Sequence, residues 1–447
     1  MPTYALSRRY VNERVYFLDP VLRSINLMNK LMANPRILYR GLPYFLLFSV
    51  YAIINSYLPI MLRTLGFSTA RIGILLGVIE IVGVCAPFFI TRQLDKTGRY
   101  GFVMCVFGID IAVLLLPLLR FHSFFSTAIC LGIFAIGFKG MVPVLDGFTT
   151  KVLGQHSDQY GKIRALGSVG FVGMNLFLQL HPLISGKKPT SIVLSISAGA
   201  LLFILTLRLV PDLCGLTFIH ADNKNITGSR SGQYTEAVDG QEPLEVESLP
   251  EDLIQPKKQD KPVGQAAAFS RLFWECLLLI FLAFLGLVPC QRFFSLYVEE
   301  YVKVEASAGL WALSAMAEIP LLIISGKIIR RFGKEWLLPL CLFTVIVRNF
   351  CYIFIPGIGG AIVGQLLHSL SFGLFHPLSV LLCVLYSYGK TVTAMAFFTA
   401  ANGIAYVIGS MIGGYIIEYL GYPALFLLFS VFPAAGIGFY LFIMRRI

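Results

Sequence analysis

The chain has 447 residues, of which 57% are hydrophobic and 13% charged. A water-soluble domain carries about 25% charged residues, so this composition excludes an ordinary soluble protein and points to a polytopic membrane protein. The net charge of +12 would suit nucleic acid, yet the cations sit in loops between apolar runs and no nucleic-acid-binding motif is present, which removes that partner.

Residues 1–41 hold seven Lys/Arg and no compact apolar stretch ahead of a small-residue cleavage site. They read as a basic cytoplasmic segment able to lie on the membrane surface as an amphipathic helix, not as a signal peptide. Apolar runs follow at 42–64, 72–92, 101–120, 124–149, 163–184 and 189–211. A polar stretch, 212–270, then carries ten acids against five Lys/Arg and cannot build a core, so it is expected to be a cytoplasmic linker. Six further runs occupy 272–298, 307–329, 336–355, 358–387, 391–419 and 421–444. Each run is long enough to cross about 30 Å of hydrocarbon as a helix, and each is continuous rather than alternating, which excludes a barrel. The expected fold is all-α and integral to the membrane. Twelve helices form two six-helix bundles, 42–211 and 271–447, related by pseudo-two-fold symmetry.

An internal repeat supports two copies of one module. Thr91-Arg-Gln-Leu-Asp95-Lys-Thr-Gly98-Arg99 recurs 235 positions later as Gly326-Lys-Ile-Ile-Arg330-Arg-Phe-Gly333-Lys334. Both lie between the second and third runs of their half. Asp95 can face a helix N-terminus while Arg99 reaches cytoplasmic carboxylates, a latch between helices. Arg330 stands where the second copy would have its acid, so that latch is wired differently. With both termini cytoplasmic, inside loops hold 26 Lys/Arg and outside loops six, and the positive-inside rule favours that orientation. The nine Cys are scattered and form no CxxC or Cys/His cluster, so neither a metal nor any other cofactor is expected.

Ionisable residues inside a membrane are costly and are functional candidates by default. Glu80, Asp110, Lys139, Glu318, Arg348, His368 and His376 lie near the middle of their runs. Asp146 and Arg292 lie nearer the ends of theirs. Lys139 and Asp146 share one helical face and read as a structural pair or as lining of a cavity, as does Asp110. Glu80 reads equally as a neutral acid bonded to backbone or as a cavity group. Arg292 has the option of snorkelling to the interface. His368 and His376 are roughly co-facial, beside Glu318 and Arg348 on adjacent runs. Four carboxylates against three cations leave one acid without a permanent partner, free to hold a proton or share one with histidine.

The six-plus-six plan and the repeated basic loop resemble the major facilitator superfamily. Pro143-Val-Leu-Asp146 followed by Tyr160-Gly-Lys-Ile-Arg164-Ala-Leu-Gly167-Ser-Val-Gly170-Phe171 is similar to a stretch of the phenylpropionate-permease-like group. So are Trp311 to Glu318 and Gln365 to His376. That group is related to lactose permease and the nucleoside/proton symporters. The resemblance implies proton-coupled symport by alternating access. It implies coupling roles for Glu318, Arg348 and His368, with His376 beside them, because lactose permease is similar in placing an acid, an arginine and a histidine on spans 8, 9 and 10. The span-10 carboxylate of lactose permease has no counterpart here.

These readings converge on a secondary active transporter in the cell membrane (the inner membrane, in a prokaryote), expected as a monomer. Its partners are a small polar solute (sugar, nucleoside or organic acid), protons and the lipid bilayer. Glu318 carries the proton, with Arg348 close by to favour its release. Lys139, Asp146, Asp110, Glu80 and Arg292 line the substrate cavity. Uniport, sodium coupling, and a non-transporting receptor signalling through 212–270 compete with it. An enzyme is not expected, because no nucleophile–base pair, metal-ligand set or nucleotide loop is present.

Overall fold

The structure, a computed structural model, describes residues 35–153, 159–181, 183–208 and 269–444. The basic N-terminal segment and the expected linker fall outside the described residues except at their edges, 35–41 and 269–270. Among the described residues there is no strand. Helices α1 (Pro35–Thr64), α2 (Thr69–Thr97), α3 (Tyr100–Leu119, ending in a 3₁₀ turn), α4 (Phe124–Leu153), α5 (Tyr160–Leu180) and α6 (Pro189–Leu207) form the first half. The second half has α7 (Arg271–Arg292), α8 (Ser307–Phe332), α9 (Lys334–Phe354) and α10 (Gly357–Leu385). Its last helical stretch, Thr391–Met444, is interrupted by non-helical backbone at Gly421 (φ 81°, ψ 177°). It therefore comprises two spans, α11 (391–420) and α12 (422–444), close to the division expected from the sequence. The observed helices overrun the apolar runs at several ends: α1 begins seven residues before 42, and α2 runs five past 92.

The helices are apolar on nearly all sides because lipid, not water, surrounds them. Phe125, Trp336, Phe354 and Tyr419 stand outward, while Tyr44, Phe134, Phe284 and Phe426 fill the interior. Within the first half α1 packs on α5 and α6, and α2 on α4. Buried polar pairs tie helices together where lipid offers no competing partner: Ser56 Oγ donates to Asn175 Oδ1 (2.6 Å), and Asn349 Nδ2 to Ser430 Oγ (3.2 Å).

The two basic loops play the same local role. Gly98 (φ 65°) and Gly333 (φ 77°) each stop a helix in a backbone conformation that a side chain would strain, and their N–H groups cap Leu94 and Ile329 carbonyls at 2.7 and 3.0 Å. Gly326 is buried within α8, while Arg99 and Arg330 are exposed. Asp95 lies in α2, and its side chain falls outside the described residues, so the expected latch does too.

The halves meet along two seams, α2 against α11 and α5 against α8. Most of their polar contacts gather at the end of the molecule opposite the basic loops. Arg63 Nε pairs with Glu300 Oε1 (2.7 Å), and Lys187 pairs with Glu305. Gln179 accepts from Gly309 N–H (2.9 Å) and donates to the Glu305 carbonyl (3.1 Å). Glu418 of α11 accepts the Ala70 N–H (2.8 Å), so a carboxylate of one half caps the N-terminus of α2 in the other.

Candidate functional site

Three clusters hold most of the intramembrane charge. The first spans the α2–α11 side of the seam. Glu80 Oε1, buried on α2, receives Lys139 Nζ of α4 at 2.7 Å and Arg292 Nη2 of α7 at 2.6 Å. Two expectations are corrected here. Lys139 does not pair with Asp146: seven residues along a helix are about 10 Å apart, too far for contact, whereas α2 lies alongside. Arg292 does not reach for the interface either. It turns inward, and its guanidinium stacks on Tyr406 of α11, 4.5 Å from the ring centroid. Gly83 makes room for the lysine stem, since a Cβ there would stand 2.8 Å from Lys139 Cγ.

The second cluster joins α8, α9 and α10. Arg348 is completely enclosed. Its Nη1 meets His368 Nδ1 at 3.0 Å and Ser371 Oγ at 3.3 Å; Nη2 donates to Gln365 Oε1 at 2.9 Å, and Nε to Tyr352 Oη at 3.1 Å. On its far side His368 Nε2 lies 3.3 Å from Glu318 Oε2. Arg348 thus acts on Glu318 through His368 and not by the direct approach expected. A π turn, Ser369–Leu374, follows His368 and re-aims the helix at this point. His376 sits apart from this chain of contacts, its ring between Phe372 and Phe398.

The third cluster is confined to the first half. Asp146 Oδ1 accepts from Tyr44 Oη (2.6 Å) and faces Arg164 Nη1 (3.5 Å). Asp110 joins none of the three: its Oδ2 accepts the Gly137 N–H (2.9 Å), fastening α3 to α4. Arg164, Tyr44, Gln365 and Tyr406 were not singled out as site residues from the sequence. Arg164 lies in a quoted motif, and a cation within a run expected to cross the membrane was the available signal.

A family model described as the MFS_1 like family matches residues 39–428, nearly the whole described chain. The chain belongs to that family of the major facilitator superfamily. This agrees with the resemblance carried by the basic loops and the α4–α5 motif, and it makes the protein a membrane transporter. A probable 3-phenylpropionic acid transporter of Escherichia coli (strain K12) is 23% identical over 432 residues, covering 88% of this chain and 97% of that protein. The solved nucleoside transporter NupG has a TM-score of 0.69 at 12% identity, covering 92% of this chain and 99% of its own. A bacterial homologue of the human lysosomal transporter Spinster, solved inward-facing and occupied, has a TM-score of 0.62 at 15% identity over 92% and 96% of the two chains.

This MFS transporter also carries titratable groups at its contact-rich end. Glu299 lies in the turn beyond α7, outside the spans. Burial raises its carboxyl to about 7 from the usual 4.5; Glu305 and Glu300 add to the rise, and Lys187 opposes it. A carboxyl raised in the folded state contributes stability through its bound proton. That contribution is complete below about 4.5 and is lost as pH rises through about 7. The thermal midpoint of the purified protein is expected to fall between pH 5 and 8, and Glu299→Gln to flatten that fall. Parallel profiles for the two proteins would refute the assignment.

Proposed function

We propose that this transporter is a proton-coupled symporter that moves a small polar organic solute by alternating access, rocking residues 42–211 against 271–447. The observation that carries the reading is the chain Glu318–His368–Arg348. Guanidinium has donors only, so His368 Nδ1 must accept from Arg348 and the ring proton sits on Nε2, directed at Glu318. No further proton can enter at Nδ1 while Arg348 holds it. Glu318 is left as the place for a travelling proton. It is also the most accessible of the three, its side chain 19% exposed against 6% for His368.

Protonation neutralises Glu318 and removes the pull it exerts on His368 and, through it, on Arg348. The affinity of α8 for the α9–α10 pair then depends on whether a proton is bound, which is what coupling requires. The basic loops and the cation count favour cytoplasmic termini. On that orientation the end closed by Arg63–Glu300, Lys187–Glu305 and the Glu418 cap is the outer one, and the structure faces inward. The reading includes a monomer in the cell membrane, with 212–270 linking the bundles on the cytoplasmic side.

The test uses proteoliposomes with a pH-sensitive dye inside, offered labelled 3-phenylpropionate and uridine under an imposed proton gradient. The wild-type protein is expected to bring protons in with solute. Glu318→Gln is expected to keep solute exchange and lose gradient-driven accumulation. Accumulation at full rate by Glu318→Gln, or accumulation driven by sodium alone, would overturn the proposal.

A further inference from the structure

The charge balance of the three clusters differs. Arg164 offsets Asp146, and Arg348 offsets Glu318 through a neutral His368. Lys139 and Arg292, in contrast, share the single carboxylate of Glu80, which leaves one positive charge unbalanced near the middle of the membrane. An unbalanced charge there is costly, and Lys139 alone would already neutralise Glu80. Both cations also keep access from outside the protein core: their side chains are 25% and 18% exposed, while Glu80 between them is buried. Arg292 Nε is buried without a hydrogen-bond partner, so the guanidinium has donor capacity unused.

We propose that Lys139 and Arg292 form the receptor for the carboxylate of an organic acid, and that the incoming anion takes the place of Glu80 on Arg292. This rests on the transport reading and narrows its substrate. Arg292 can present two N–H groups to a carboxylate in a forked pair, with Nε among them. Tyr406 holds the guanidinium plane by stacking, and Gly83 holds the lysine stem against α2. Phe138, whose ring lies 5.7 Å from Lys139 Nζ, and Tyr406 supply aromatic surface on the two sides of the site for an apolar body.

The geometry also links binding to movement. Glu80 and Lys139 belong to the first half, Arg292 and Tyr406 to the second, so the Arg292–Glu80 pair is a strut across the seam. A substrate carboxylate that claims Arg292 releases the strut while leaving Lys139 to hold Glu80. The halves then meet through the substrate, whose departure restores the direct bond.

The test is thermal unfolding of the full-length purified protein with a panel of monocarboxylates (3-phenylpropionate, benzoate and hexanoate), each beside its alcohol of the same shape. At least one acid is expected to raise the midpoint, and its alcohol is not. Arg292→Gln is expected to weaken that acid by roughly ten- to hundredfold, the loss of a charge-assisted forked pair. Glu80→Gln is expected to lower the unliganded midpoint and to enlarge the shift the acid produces, because the internal competitor is gone. Arg292→Lys, which keeps the charge if Arg292→Gln does not fold, is expected to show intermediate affinity. Equal protection by acid and alcohol, protection by no acid, or an unchanged shift in Glu80→Gln would each overturn the site. Uptake of 3-phenylpropionate unaffected by Arg292→Gln would remove the anion site and leave the transport reading standing. Failure of every solute to move would remove transport itself.

Discussion

Replacing Arg348 by alanine is expected to destabilise the transporter by about 3–5 kcal/mol, more than any other single charge removal in the spans. The size follows from what is stranded. Tyr352 Oη, His368 Nδ1, Ser371 Oγ and Gln365 Oε1 all accept from this one guanidinium, and every one of these residues is buried. None has water to turn to, so each lost bond costs the desolvation of its group rather than the small net value of an exchanged bond. Gln365 Nε2 is already unpartnered, so the site has no slack to absorb a second orphan on that side chain. Arg348→Lys keeps the charge but offers a point donor in place of a fork, and should retain part of the stability. The measurement is thermal and denaturant unfolding of the variants in one detergent. A midpoint for Arg348→Ala close to that of wild type would refute the assignment. Arg292, partly exposed at the seam, is expected to be far more tolerant, and that contrast separates an arginine that builds the protein from one that binds.

The helical plan was legible because it is written in composition. Lipid demands an apolar surface along the full length of each span, so each helix announces itself locally, including the division at Gly421. The basic loops were legible for a related reason: a helix that must stop needs a residue tolerant of positive φ, and Gly98 and Gly333 supply it. The site was legible only as an inventory. Glu80, Lys139, Arg292, Glu318, Arg348 and His368 stood out as costly residues, and each proved to lie in a charged cluster. Their partners did not stand out, because a partner is chosen by which helices touch. Spacing within α4 suggested Lys139 with Asp146, yet α2 and α5 bring Glu80 and Arg164 closer. The direction of Arg292 depends on Tyr406, more than a hundred residues away, and no local pattern encodes that approach.

The second large effect concerns the seam itself. Gly73 of α2 and Gly414 of α11 bring two backbones into contact: a Cβ on Gly414 would lie 2.5 Å from the Thr69 carbonyl oxygen and 2.9 Å from Gly73 Cα. Small residues make the approach possible in the way membrane helices commonly use: Gly73 lies against Ser410 and Gly414, and Gly77, one turn on, against Met411 and Val407. The Ala70–Glu418 cap depends on that same closeness. Valine at Gly73 or Gly414 would therefore oppose closure at this end while adding nothing adverse once the helices part. Overpacking of this kind costs about 1–3 kcal/mol, enough to shift the closed-to-open ratio by about five- to a hundredfold. A donor–acceptor pair at Lys188→Cys and Lys303→Cys, exposed positions on the two halves at this end, in a background lacking the native cysteines, is expected to report a longer distance in Gly73→Val. Gly173→Val is the control, because a Cβ there meets nothing within 4 Å, and it should leave the distance alone. If Gly73→Val and Gly173→Val give the same distance distribution, the contact between Gly73 and Gly414 does not set the closed state, and the seam must be held by its polar contacts, those of Arg63, Lys187, Gln179, Glu418 and the Arg292–Glu80 pair.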